Sequence, residues 1–328
     1  MSPAGSLPAL KAAVDNGADW IYTGLRDDTN ARNFPGLNFD DTALTEGIAY
    51  AHRRRRKVVV AINTYPQASN WPRWTAALER AVQAGADAAI LADAGLLRHA
   101  SREHPQLELH LSVQGSATSH EAINFFHEHF GVRRAVLPRV LSVAQVEQVV
   151  RNTPVQIEVF GFGGLCVMVE GRCSLSGYAC GEAPNTAGAC SPAWAVRWEE
   201  TPAGLESRLN GVLIDRVAPG EHAGYPTVCK GRYWADEDLY YAFEEPASLN
   251  VLELLPEFAR IGVRAVKIEG RQRSALYVAQ VTRIWRDAID ALDREGERFS
   301  VRPQWTAVLA HHAEGSQCTL GAFSRPWK

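Results

Sequence analysis

Six cysteines, at positions 166, 173, 180, 190, 229 and 318, are the residues of this sequence best suited to chemistry. Structural zinc sites usually draw thiolates in pairs spaced roughly two to four residues apart, because a tight knuckle presents both to one ion. No such pair is present. Between Cys166, Cys173, Cys190 and Cys229 lie six, sixteen and thirty-eight residues, a spacing that suits separate loops converging on a metal or a cluster. A cluster spreads its ligands farther than a single ion does. The long gaps therefore favour iron–sulfur chemistry and leave zinc open. Cys180 and Cys318 are read as small buried hydrophobes, the usual fate of an isolated cysteine.

A second group of candidates is the run Lys267-Ile268-Glu269-Gly270-Arg271, which ends an apolar strand. Alternation puts Lys267 and Glu269 on one face, pointing inward, with Arg271 beyond the strand end. These three are the catalytic candidates, a cationic and acidic set able to hold a carboxylate-bearing ligand. An ion pair that only supports the interior is the competing reading of Lys267 and Glu269. Asn63, Gln114 and Arg139, at other strand ends, are weaker candidates. Near the cysteines, Arg172, Arg197, Arg208 and Arg232 are candidate substrate-binding residues, since a guanidinium can hold an anionic substrate or donate to a thiolate cluster. Equally, each could bridge its loop to a carboxylate. There is no H-E-x-x-H, G-x-S-x-G or Walker motif, so zinc peptidase, serine hydrolase and P-loop chemistry have no support.

These residues need a scaffold, and the chain repeats one unit: a short apolar strand, then an amphipathic helix. Val58-Val59-Val60-Ala61-Ile62 and Ala88-Ala89-Ile90-Leu91-Ala92 are continuous apolar runs, as parallel strands buried on both faces require. Further strands are expected at 20–22, 107–113, 134–137, 155–160 and 263–268. Helices are expected near 6–16, 71–82, 42–55, 119–130, 142–152, 250–261 and 274–294. This rhythm predicts an α/β fold, a TIM-like (β/α)₈ barrel whose first strand is rudimentary, because only Met1-Ser2 precedes Pro3-Ala4-Gly5. The rhythm breaks once. Residues 1–160 form the first part of the barrel, 161–249 a Cys-rich insertion carrying the cluster, 250–295 a closing helix–strand–helix and 296–328 a C-terminal extension. An insertion at that point lies at the C-terminal mouth, where barrel active sites sit.

Composition adds exclusions. The 328 residues carry a net charge of −3, with a pI near 6.4, which argues against broad nucleic-acid or anionic-membrane binding. Arg53-Arg54-Arg55-Arg56-Lys57 is read as a solvated helix end, not an RNA-binding patch. No apolar run is long enough for a transmembrane segment, and no leader-like start is present, so the chain is expected in the cytoplasm. Thiols stay reduced there, which favours metal or catalysis over disulfides.

Several segments carry a resemblance. Asp27-Asp28-Thr29-Asn30-Ala31-Arg32, Leu137-Pro138-Arg139-Val140-Leu141-Ser142, Glu170-Gly171-Arg172-Cys173 and Gly188-Ala189-Cys190-Ser191-Pro192 resemble the collagenase-like peptidase family, in its ubiquinone-synthesis branch. So do Gly224-Tyr225-Pro226-Thr227, Cys229-Lys230-Gly231-Arg232-Tyr233 and Lys267 to Ser274. The resemblance runs from Pro3 to about Asp290. It implies a 4Fe-4S cluster on Cys166, Cys173, Cys190 and Cys229, leaving out Cys180 and Cys318. It further implies a heterodimer with a UbiV-like paralogous iron–sulfur subunit and oxygen-independent hydroxylation of the aromatic ring of an isoprenoid quinone precursor. Prephenate or a similar dicarboxylate would donate the oxygen. The expectation is thus a hydroxylating enzyme, not a peptidase, with no nucleic-acid partner. The alternatives are an RNA-modifying hydroxylase of the same family, or an electron-transfer subunit. One departure is Ser2, where the family often has a cysteine.

Overall fold

The apolar runs become strands and the amphipathic runs become the helices between them. The computed structural model describes residues 1–166, 173–182, 184, 189–221, 223–315 and 317–324. Its first half alternates β1 (Ser2–Pro3), α1 (Leu7–Asp15), β2 (Trp20–Gly24), α2 (Asp41–Arg53), β3 (Lys57–Ile62), α3 (Trp71–Gln83), β4 (Ala88–Leu91) and α4 (Ala94–Glu103). The alternation continues through β5 (Glu108–Leu111), α5 (His120–Phe130), β6 (Arg134–Val136), α6 (Val143–Arg151) and β7 (Gln156–Gly164). Polar N-caps start many of these helices. Ser6, Asp40, Asp93, Ser119 and Ser142 each accept a backbone N–H from the first turn, and Ser142 forms a full capping box with Gln145. At the other end, Gly85 and Gly262 take positive φ and turn the chain directly into a strand.

β1 to β7 are parallel and lie side by side in chain order. After α8 (Leu255–Ile261), the strand β14 (Ala265–Ile268) runs parallel to β7, and α9 (Ala275–Glu295) follows. Met1 joins the first strand to β14: its amine donates to the Val266 carbonyl at 2.9 Å, and its carbonyl accepts from Ile268 N–H at 3.0 Å. The rudimentary first strand is therefore real but two residues long. Alternation separates two apolar layers. Ile21, Val58, Val60 and Ile62 pack outward under the helices, while Tyr22, Val59, Ala61, Ala88 and Ile90 form a second cluster facing inward. From α3, Trp74, Ala77, Leu78 and Ala81 complete the outer core.

Between β7 and β13 (Ala247–Asn250) the alternation of strand and helix is interrupted. The described residues there form α7 (Ser174–Cys180), a three-stranded antiparallel sheet of β8 (Val196–Thr201), β9 (Gly204–Leu209) and β10 (Val212–Val217), and a hairpin of β11 (Arg232–Ala235) and β12 (Asp238–Tyr241). Cys180, Ala195, Leu209 and Ile214 form a small core of their own. Cys180 thus behaves as the buried hydrophobe that was expected. Cys318 does not: it lies exposed on β15 (Gln317–Thr319), which follows α10 (Pro303–His312) and pairs in parallel with β13. Among the described residues beyond 296, α10 and β15 are regular, and β15 joins the sheet through β13. No helix among the described residues is long and apolar enough to cross a membrane.

Candidate active site

Parallel strands in this order present their C-terminal ends to one side, and a small pocket opens there. Tyr22, Ala61, Ile90, Val136 and Phe160 give it apolar walls from five strands. Its polar lining is Arg32, Asn63, Ser112, Gln114, Arg139, Lys267, Glu269, Arg271 and Gln272. All three catalytic candidates and all three weaker strand-end candidates therefore meet in one place. Arg32, Tyr22 and Asn30 were missed as site residues, although the Asp27–Arg32 run after β2 carried the signal.

The charges divide into three arrangements. Lys267 donates to Glu158 at 2.9 Å, and Arg134 approaches the other Glu158 oxygen at 3.5 Å. All three side chains are buried. Burial alone would protonate Glu158, but Lys267, Arg134 and the Met1 amine outweigh it and hold the pKa at about 2. Lys267 is in turn lowered by burial, against the pull of Glu158. The supporting ion pair, not a free ammonium, is what the geometry gives for Lys267.

Glu269 has two cations. Arg32 lies 3.2 Å from one oxygen and Arg139 lies 3.1 Å from the other. Burial opposes ionisation, yet Arg139 and Arg32 keep its pKa below the ordinary carboxyl value. Arg139 also covers the Phe160 ring at 4.0 Å.

Arg271 is different. It is 5% exposed and makes no ion pair with any described carboxylate; its Nη1 donates to Asn30 Oδ1 at 3.1 Å. Burial pushes its pKa down to about 10. The seat is shaped for it. Asn30 is pinned by donating to the carbonyls of Leu25 and Asp27. A Cβ on Gly24 would fall 2.5 Å from Arg271 Nη1 and 2.8 Å from the Asn30 side chain, so a larger residue there would displace both from their seat. A buried guanidinium with no ion-pair partner among the described residues, facing a pocket, is prepared for an anionic group.

The cysteines sit on separate segments beside this mouth. Cys166 follows β7 and is exposed; Cys173, Cys190 and Cys229 are half-buried. Cys173 caps α7, its Sγ accepting from Ser176 N–H at 3.3 Å. The Ser176 hydroxyl contacts the Cys190 carbonyl at 2.9 Å, tying two of the segments together. Burial raises the thiols of Cys173 and Cys229, and each is raised further by the charge of Cys190. Arg32 is held charged chiefly by Glu269, against its burial. Among the described residues, no three His, Cys, Asp or Glu side chains are close enough to hold a metal ion.

The remaining candidates lie elsewhere. Arg208 pairs with Glu206 and Glu199, and Arg232 with Asp215 and Glu221, all within the antiparallel sheets and the loop after them. Arg197 is exposed on β8. None of the three lines the pocket. Arg172 lies outside the described residues. Arg54 and Arg56 are spent on Asp15 and Asp19 at the end of α2, as a helix-end reading requires.

Residues 5–325 match the family described as Peptidase family U32. The chain belongs to that family. tRNA hydroxylation protein P of Escherichia coli K12 is 31% identical over 312 residues, covering 88% of this chain and 67% of that protein. tRNA hydroxylation protein P1 of Bacillus subtilis 168 is 28% identical, covering 94% of this chain and 67% of that protein. The 23S rRNA 5-hydroxycytidine C2501 synthase of E. coli K12 is 28% identical over 90% of this chain and 40% of its own length. Among solved structures, the U32 peptidase Mk0906 aligns with a TM-score of 0.49 at 12% identity, covering 83% of this chain and 92% of that one. Relatives named for hydroxylating tRNA and rRNA correct one expectation. The expected absence of a nucleic-acid partner, argued from a net charge of −3, is withdrawn.

Proposed function

We propose that this U32 chain is a ring hydroxylase whose substrate is a base of RNA, working with a 4Fe-4S cluster held by Cys166, Cys173, Cys190 and Cys229. The observation that carries the RNA reading is the likeness to the two tRNA hydroxylation proteins, which spans about nine-tenths of this chain. The pocket suits the task. Its apolar walls can enclose a planar ring, while Arg271 can hold an anionic group beside it. Enzymes that modify a base must take it out of the stack into such a pocket.

The long spacing of the four cysteines is what favours a cluster over a single ion. Burial raises the Cys173 and Cys229 thiols, and a bound iron centre would favour their thiolates instead. When bound, the cluster supplies one-electron chemistry. The chain's own residues do the rest. Glu269 stays ionised between Arg32 and Arg139 and fixes both cations at the mouth. Tyr22 donates its hydroxyl to the Ile268 carbonyl at 2.8 Å and remains a protonated wall. The Lys267–Glu158 pair holds the floor.

A second reading keeps ring hydroxylation and changes the substrate to an isoprenoid quinone precursor, oxidised without dioxygen. It is favoured by the resemblance of the Asp27–Arg32 and Lys267–Ser274 runs to the ubiquinone-synthesis branch. Anaerobically purified protein separates these readings. It should contain about four iron and four sulfide per chain, and RNA should crosslink to pocket-lining peptides. Iron without any RNA crosslink would favour the quinone reading.

A further inference from the structure

Gln114 stands apart from the ion pairs of the pocket. It is 6% exposed, lines the pocket, and its side-chain Oε1 is buried without a hydrogen-bond donor among the described residues. An orphaned buried acceptor is costly, and native structures rarely keep one without a use. Its backbone is fixed from both sides. Gln114 N–H donates to Ser112 Oγ at 3.2 Å, and its carbonyl accepts from the Tyr65 hydroxyl at 2.7 Å. Ser112 Oγ also accepts from Asn63 Nδ2 at 3.1 Å, and Asn63 Oδ1 accepts from Ala31 N–H at 3.0 Å. The amide is therefore carried on a hydrogen-bonded network that reaches the Arg32 loop, yet its own oxygen is left unused.

We infer that Gln114 Oε1 is the specificity contact of the pocket, accepting a hydrogen bond from an N–H or O–H carried by the substrate ring. This rests on the ring-hydroxylase reading and deepens it. The required chemistry is shared by two sources, the exocyclic amine of a cytidine and the hydroxyl of a phenol. In either case the ring enters between the apolar walls, and the donor on its edge meets the amide oxygen. A ring with that donor blocked leaves the acceptor unpaired. Sites built around such a contact reject the blocked analogue strongly.

The test compares two probe pairs on the cluster-loaded protein. One pair is a short single-stranded RNA carrying cytidine against the same RNA carrying N4,N4-dimethylcytidine. The other is an alkyl phenol against its methyl ether. Wild-type protein should bind the unblocked member of one pair about tenfold or more tighter. Gln114→Leu should lower that preference to within about twofold, with no fall in Tm, because it removes an orphaned acceptor. Discrimination on the phenol pair alone keeps this inference and overturns the RNA substrate. RNA binding with no discrimination keeps the RNA substrate and overturns the role of Gln114. A Tm loss with discrimination intact, or no binding of either pair, overturns it as well.

Discussion

Arg32 and Arg139 grip opposite oxygens of Glu269, at 3.2 and 3.1 Å, so one carboxylate at the pocket mouth is shared by two cations. Arg32 arrives from the loop after β2 and Arg139 from the loop after β6, which makes Glu269 the tie between opposite sides of the site. Glu269→Gln should leave two guanidiniums unneutralised beside the thiols. The expected outcome is a protein that still folds, with a lower Tm and with activity down about 100-fold or more, the usual scale for losing one preorganised electrostatic contact. Thermal melts and turnover measured on the same preparation check it.

Lys267→Met should unfold the protein more readily and not merely inactivate it. Removing one partner of a buried pair strands the other charge, at a cost of about 3–5 kcal/mol. The double variant Lys267→Met with Glu158→Gln should recover most of that loss. Equal stability of the single variant and the wild type in urea titrations would contradict the ion-pair assignment.

Acid should destabilise the fold through Glu158. Its folded pKa of about 2 lies below the ordinary 4.5, so the contribution is fully present above 4.5 and is lost as pH falls from there toward 2. The scale is on the order of 3 kcal/mol. Glu269 is shifted in the same direction and adds to the loss. Urea midpoints from pH 7 to pH 3 should fall steeply in wild type and less steeply in Glu158→Gln.

Each of Cys166→Ser, Cys173→Ser, Cys190→Ser and Cys229→Ser should lose most of the iron, while Cys318→Ser should keep it because Cys318 sits on β15, paired with β13 and outside the proposed ligand set. Cys180→Ser should also keep its iron but melt earlier, having placed a hydroxyl in the small core with Leu209 and Ile214. Iron analysis after anaerobic purification decides each case.

Much of the site was legible because strand chemistry is local. Two-residue alternation was enough to bring Lys267 and Glu269 inward, and continuous apolar runs located β3 and β4. What escaped depended on distant pairing. Nothing near Lys267 announces Glu158, whose partner lies 109 residues away in the chain. Arg208 and Arg232 looked like substrate ligands because their carboxylate partners become neighbours only once β8 to β11 fold together. Cys318 was misplaced for a similar reason: the pairing of β15 with β13 is invisible in the tail's own composition. The net charge misled most, because it averages over the whole surface and says little about one lined pocket.

The central claim is that RNA is the substrate and that Arg271 holds it in place. The most direct measurement is nucleoside mass spectrometry of tRNA and rRNA from cells lacking this chain, complemented with wild type or with Arg271→Gln. The account predicts that one hydroxylated base disappears on deletion, returns with wild type, and stays absent with Arg271→Gln although that protein accumulates with its iron. Unchanged RNA nucleosides in the deletion, together with loss of a hydroxylated quinone, would contradict it.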